Sequence, residues 1–116
     1  MQRLFIYGTL APGQVNHHVV ADIPGDWQRA SVRGTVIQLH CGPTEVYPGL
    51  IPGSDDELAG TVEGWVFSSE HLHSHWQRLD EFEGDEYERI VICVRIAESE
   101  FLEACVYAVN QQFDYQ

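Results

Sequence analysis

The chain has 116 residues, the size of one domain, and its 44% hydrophobic and 21% charged residues match an ordinary globular protein rather than a disordered one. Its formal net charge is −12, from 18 acids against 6 bases, and every base is Arg. That balance argues against nucleic acid and disfavours an anionic membrane surface as partners, because both call for clustered cations. An anionic small molecule stays open, provided backbone N–H groups or a single Arg hold it.

Arg3 to Tyr7 is short and rich in β-formers and predicts a buried strand, ended by the loop Gly8-Thr9-Leu10-Ala11-Pro12-Gly13. The apolar stretch there is too short for a signal peptide. Asn16 is placed to cap a short helix through about Ala21, which Pro24-Gly25 ends. Ala30 to Leu39 predicts a second strand with a bulge at Gly34. Cys41 to Leu58 carries Pro43, Pro48, Gly49, Pro52 and Gly53 and predicts a long loop.

A third strand is expected over Ala59 to Phe67. Ser68-Ser69 then offers a helix cap, with Glu70 in the first turn. Leu72, Trp76, Leu79 and Phe82 make one apolar stripe at helical spacing, and Gly84 stops the helix. Glu88 to Ala97 is the clearest strand, with Ile90, Ile92, Val94 and Ile96 on one face and Arg89, Val91, Cys93 and Arg95 on the other. A turn at Glu98-Ser99-Glu100 leads to its hairpin partner, Phe101 to Val109. The tail from Asn110 to Gln116 is expected to be peripheral to a single domain spanning residues 1–116. The order predicts an α+β fold, a curled mixed or antiparallel sheet over one main helix and a short one, and not a doubly wound parallel sheet.

No apolar run approaches a membrane span; Ile90 to Val94 is far too short. Cys41, Cys93 and Cys105 are an odd count without a Cys-x-x-Cys pair, so neither a disulfide framework nor a structural zinc site is expected, and a reducing cytoplasm is the natural setting. His71 and His75 are four apart but His73 points elsewhere on a helix, and no His-Glu-x-x-His occurs, so the expectation is no metal. His40-Cys41 are neighbours on an extended segment and face opposite ways. The oligomeric state is not set by any of these features.

Six of the 18 acids lie between residues 80 and 88. A calcium loop starting at Asp80 fails, since Phe82 would occupy a ligand position. Glu83 differs from its neighbours because it precedes the helix-ending Gly84. There the helix dipole and the surrounding carboxylates raise its pKa, the dipole by less than about one unit, and burial would have to add the rest. A Glu so perturbed suits a general base. Glu81 would point about 200° away from it on the helix, so only one of the two can face a given cavity. Tyr7-Gly8-Thr9-Leu10 supplies a strand end whose backbone N–H groups can approach a ligand. Walker-type phosphate loops and Gly-x-Ser-x-Gly elbows are absent from the sequence.

Taken in order, Tyr7-Gly8-Thr9-Leu10 with Gly13 and Asn16, Arg33-Gly34, Tyr47-Pro48-Gly49-Leu50, Gly60 with Glu63-Gly64, and Leu79-Asp80-x-Phe82-Glu83-Gly84-x-x-Tyr87-x-Arg89 resemble the gamma-glutamylcyclotransferase-like family, in particular its small bacterial members and the gamma-glutamylamine cyclotransferases. The resemblance covers about residues 3 to 109. It implies a barrel-like sheet of about six strands around a small cavity. Tyr7, Gly8, Thr9 and Leu10 then bind substrate, Glu83 is catalytic, and Tyr87 and Tyr107 are expected to line the pocket. It further implies a gamma-glutamyl small molecule as substrate, 5-oxoproline as product, and no cofactor. The alternative from another class is a non-catalytic binding or interaction module that uses the same cavity.

Overall fold

Leu4, Phe5 and Ile6 are all buried, although successive side chains of a strand face opposite ways. Their strand, β1 (Gln2–Ile6), is therefore covered on both faces. It runs antiparallel to β4 (Thr61–Ser69), with Phe5 opposite Val66, and parallel to β6 (Glu100–Val109), with Phe5 opposite Val106. The computed structural model describes residues 2–40, 46–53, 60–84 and 86–110.

The remaining elements are α1 (His18–Ala21), β2 (Asp26–His40), β3 (Val46–Pro52), a 3-10 turn (Leu72–Ser74), α2 (Trp76–Glu83) and β5 (Tyr87–Ala97). Strands pair in the order β1-β4-β2-β3-β6, and β6 returns to β1, which closes a five-stranded barrel; β5 adds to β6 and touches β2 where Arg95 faces Ser31. The α+β, barrel-like fold expected from the sequence is the fold observed. Inward side chains, among them Phe5, Val32, Leu50, Val66, Val94 and Val106, fill the barrel. Outward ones, Leu4, Ile6, Phe67 and Tyr107, form a second core with Val20 of α1, Ile23 after it, Leu72 of the 3-10 turn and Leu79 of α2. Leu79 is fully buried, worth about 1.5–3 kcal/mol of transfer free energy.

β2 closes the barrel by changing partner midway. Asp26 to Arg33 pair with β4, and Gly34 to His40 pair with β3. At the switch the Gly34 N–H donates to the Gly60 carbonyl at 2.9 Å, and a Cβ at Gly34 would lie 2.6 Å from the Ile51 carbonyl oxygen. The bulge expected at Gly34 is thus a partner switch.

Three expectations need correction. The long loop expected from Cys41 to Leu58 contains strand β3, which carries Pro48, Gly49 and Pro52 within it; 41–45 and 54–59 lie outside the described residues, as do residues 111–116 of the expected peripheral tail. Asn16 does not cap α1; that position is His17, without a side-chain cap, and the Asn16 Nδ2 donates to Thr9 Oγ1 at 3.0 Å instead. The helix expected from Ser69 onward is broken. The His71 carbonyl accepts from Ser74 Oγ at 3.0 Å and from His75 Nδ1 at 2.7 Å, while the His75 N–H goes to Leu72. Side chains thus occupy the acceptor that a continuous α-helix needs, and α2 begins only at Trp76. Ser69 is buried at the end of β4, accepting from the His71 N–H at 2.9 Å and donating to the Pro24 carbonyl at 2.5 Å.

The hairpin is as expected, in antiparallel register from Tyr87 opposite Val109 to Ala97 opposite Glu100. No helix among the described residues is long and apolar enough to cross a membrane.

Candidate active site

Glu83 is the last residue of α2, and Gly84 ends the helix with φ of 82°, a conformation that favours glycine. This stop aims Glu83 into a cavity of about 370 Å³. Its walls are the end of β1 with Tyr7, Gly8, Thr9 and Leu10, then Asn16, Pro48, Phe82, Glu83, Gly84, Glu86, Tyr87 and Tyr107. The structure therefore brings together every site residue the sequence suggested. Glu81 lies outside, exposed, with Gln77 Nε2 at 3.4 Å from its carboxylate. The helical angle between positions 81 and 83 accounts for the separation.

Burial pushes the Glu83 carboxyl up from 4.5 to about 7. Desolvation disfavours the charged form, and it supplies the shift that neighbouring acids were expected to share. Near neutral pH the group can both take and give a proton.

The loop after β1 is held by its own sequence. The Ala11 N–H donates to the Gly8 carbonyl, the Asn16 N–H to the Thr9 carbonyl at 2.9 Å, and His17 Nδ1 to the Leu10 carbonyl at 2.9 Å. These bonds use carbonyls. The N–H groups of Gly8, Thr9 and Leu10 donate to no other backbone group among the described residues.

The tyrosines form the walls. The Tyr7 hydroxyl donates to the Tyr107 carbonyl at 2.6 Å and accepts from the Leu50 N–H at 2.9 Å, so it joins β6 and β3 beneath the cavity. Burial, more than any other cause, keeps its pKa far above the ordinary tyrosine value. The Tyr87 hydroxyl donates to the Pro48 carbonyl at 2.5 Å. The Tyr107 hydroxyl donates to Asp80 Oδ1 at 2.7 Å, and its pKa is raised by burial and by that carboxylate. Asp80 in turn faces Arg89 Nη1 at 3.6 Å, and the Arg89 guanidinium lies 4.4 Å from the Trp76 ring centroid. All three hydroxyl protons are engaged by the protein, so these rings set the cavity's shape.

The sequence reading missed Pro48 and Glu86 as lining groups. Pro48 was hidden inside the segment expected to be a loop. Glu86 was one acid in a run of six, and only the chain reversal after Gly84 distinguishes it. Among the described residues no group of three or more His, Cys, Asp or Glu could hold a metal ion, and His75 Nδ1 is bonded to the His71 carbonyl.

A closed five-stranded barrel with a half-buried acid in one cavity with the loop after its first strand is an architecture of gamma-glutamyl cyclotransferase type. Residues 4–116 match the family described as gamma-glutamyl cyclotransferase, AIG2-like, and the chain belongs to that family. YkqA of Bacillus subtilis is 33% identical over 79 residues, covering 68% of this chain and 25% of YkqA. AIG2-like protein D of Arabidopsis thaliana is 30% identical over 106 residues, covering 85% of this chain and 60% of that protein. The chain thus spans a quarter of the first relative's length and three-fifths of the second's. The YkqA crystal structure superposes with a TM-score of 0.67 at 27% identity, covering 94% of this chain and 36% of that one. A mouse AIG2-like protein has the same fold, with a TM-score of 0.68 at 23% identity over 98% of this chain and 80% of its own.

Proposed function

We propose that the protein is a gamma-glutamyl cyclotransferase that releases 5-oxoproline from a gamma-glutamyl amine or peptide, with Glu83 as general base and then general acid. The observation that carries the reading is the placement of a half-buried Glu83, its pKa raised to about 7, in one cavity with the Tyr7-Gly8-Thr9-Leu10 backbone.

The substrate brings its own nucleophile. Its α-amine attacks the γ-carbonyl carbon, the ring C–N bond forms, and the amide C–N bond to the leaving group breaks. Two protons pass from the attacking nitrogen to the departing one. Glu83 carries them one at a time: ionised, it takes a proton first from the α-ammonium and then from the same nitrogen after attack, and each time, protonated, it gives that proton to the departing nitrogen. The cavity's part is to hold the chain folded for ring closure, for which orientation is the main requirement. The N–H groups of Gly8, Thr9 and Leu10 meet the substrate's α-carboxylate or the oxyanion that develops on the γ-oxygen. Backbone dipoles explain how a chain of charge −12 binds an acidic amino acid.

The test is 5-oxoproline release from a panel of gamma-glutamyl amines and dipeptides by the wild type and by Glu83→Gln. Loss of a general base predicts a fall of about 10²–10⁴-fold. Equal turnover by both forms removes Glu83 from the chemistry. Ligand binding without turnover by either form favours a binding module.

A further inference from the structure

Helix α2 has only eight residues, too few to hold its shape unaided in water. Glu83 stands at its last position, where helices fray, and its carboxyl gives up hydration to face the cavity. An unheld side chain there would turn back to solvent. Buried Leu79 presses the helix against the barrel, but an apolar contact is non-directional.

Direction comes from Asp80. Its backbone carbonyl accepts the Gly84 N–H at 3.1 Å, the bond that closes the last turn around Glu83. Its carboxylate accepts the Tyr107 hydroxyl of β6 at 2.7 Å and faces Arg89 Nη1 of β5 at 3.6 Å. One residue thus carries the helix end on its main chain and the barrel on its side chain. Tyr107 is buried, and its own carbonyl accepts the Tyr7 hydroxyl at 2.6 Å, so the anchor is itself fixed in the cavity wall. Asp80 and Glu83 are three apart and lie about 60° from one another around the helix. Turning Asp80 toward Tyr107 therefore turns Glu83 toward the cavity, while Glu81, about 100° the other way, is left outside. The start of the helix is tied down as well. Trp76 Nε1 donates to Gln2 Oε1 of β1, and the Arg89 guanidinium lies 4.4 Å from the Trp76 ring centroid.

We propose that Asp80 is a positioning residue: its bond to Tyr107, steadied by Arg89, holds the last turn of α2 so that the Glu83 carboxyl faces the substrate instead of solvent. The proposal rests on reading Glu83 as the general base. Loss of the bond costs kcat, because the base is no longer aimed. It leaves KM nearly as it was, because the loop after β1 is held by its own bonds.

The experiment follows the titration of Glu83 by 13C NMR in protein labelled at its glutamate carboxyls, together with kcat and KM for 5-oxoproline release. The Glu83 signal is the one missing from Glu83→Gln. That assignment keeps it distinct from the other titratable groups of the cavity, Tyr7, Tyr87, Tyr107 and Glu86, and from Asp80 and Arg89 joined to Tyr107. The wild-type midpoint is expected near 7. Asp80→Ala and Tyr107→Phe should each lower it by about one unit or more toward 4.5, and lower kcat by about 10²-fold with KM within about threefold. Asp80→Asn keeps an oxygen for the Tyr107 hydroxyl and should hold the midpoint within about half a unit of wild type. Bond and charge are thereby separated, since Tyr107→Phe retains the Asp80 carboxylate and Asp80→Asn removes it. Asp80→Ala combined with Tyr107→Phe should be no worse than either alone, because both break one bond. Partial unfolding does not blur the result, because the folded molecules give their own midpoint and KM. A midpoint that stays at the wild-type value in Asp80→Ala or Tyr107→Phe, or that falls as far in Asp80→Asn as in Asp80→Ala, overturns the proposal. If no gamma-glutamyl compound is turned over, the cyclotransferase reading fails by itself, and the titration alone decides whether Asp80 positions Glu83.

Discussion

The Glu83 carboxylate acts on the Tyr7 phenol, with which it lines one cavity. Burial is the main cause of the raised Tyr7 pKa, and the Glu83 carboxylate raises it further, against the opposing bond from the Leu50 N–H. The phenol therefore stays protonated as Glu83 titrates, and its bond to the Tyr107 carbonyl persists in both states of the acid. The proton-transfer group is mobile in charge while the wall opposite is fixed.

That contrast sets a pH dependence for the reaction. With Glu83 acting as base at a pKa of about 7, kcat/KM should rise about tenfold per pH unit below 7 and level off above it. A profile of 5-oxoproline release between pH 5.5 and 8.5 checks this. A flat profile across pH 7 contradicts the assignment.

The same shift enters stability with the opposite sense. The folded pKa lies above the ordinary value of 4.5, so the folded state holds a proton that the unfolded chain has released. The stabilisation is complete below pH 4.5 and is lost as pH rises through 7. Between pH 5.5 and 8 the wild type should lose about 2 kcal/mol from this group alone. Glu83→Gln should not, so urea unfolding at the two pH values should show the variant gaining on the wild type by about that amount.

Tyr7→Phe removes a donor to the Tyr107 carbonyl and the acceptor of the Leu50 N–H. Leaving partly buried groups unpaired costs about 1–3 kcal/mol. A fall in Tm of several degrees, read by circular dichroism at pH 7, is expected.

Two glycine substitutions should separate site from scaffold. A Cβ at Gly8 would come 3.2 Å from Pro48 Cγ, at the wall of the cavity, whereas one at Gly64 would meet the Ile6 carbonyl oxygen at 2.5 Å and the Phe5 ring at 2.7 Å. Gly8→Ala should raise KM with little loss of Tm. Gly64→Ala should destabilise by about 1–3 kcal/mol or more, without a specific effect on KM in the fraction that folds.

Much of this architecture can be read from local patterns. The β5–β6 hairpin shows itself through two runs of β-branched and aromatic residues joined by the turn Glu98-Ser99-Glu100. The direction of Glu83, opposed to that of Glu81, follows from helical geometry once Gly84 marks the helix end. Strand β3 is illegible because Pro48, Gly49 and Pro52 argue against a strand, and its pairing with β2 overrides that local preference. The break between Leu72 and Trp76 is equally hidden, since the apolar stripe continues through it and only the competition for the His71 carbonyl interrupts the helix. Asp80 and Tyr107 are 27 positions apart, and only the packing of α2 against the barrel makes them neighbours.

The position of β1 between β4 and β6 has a consequence for biosynthesis. Parallel pairing of Leu4 and Phe5 with Cys105 and Val106 joins segments about a hundred positions apart, and such distant contacts carry a large loop-closure entropy and slow folding. Until β6 has left the ribosome, one edge of β1 exposes unpaired amides beside Leu4, Phe5 and Ile6, a template for aggregation. The nascent chain is most vulnerable in that interval, and the cavity behind Tyr7 can assemble only when it ends.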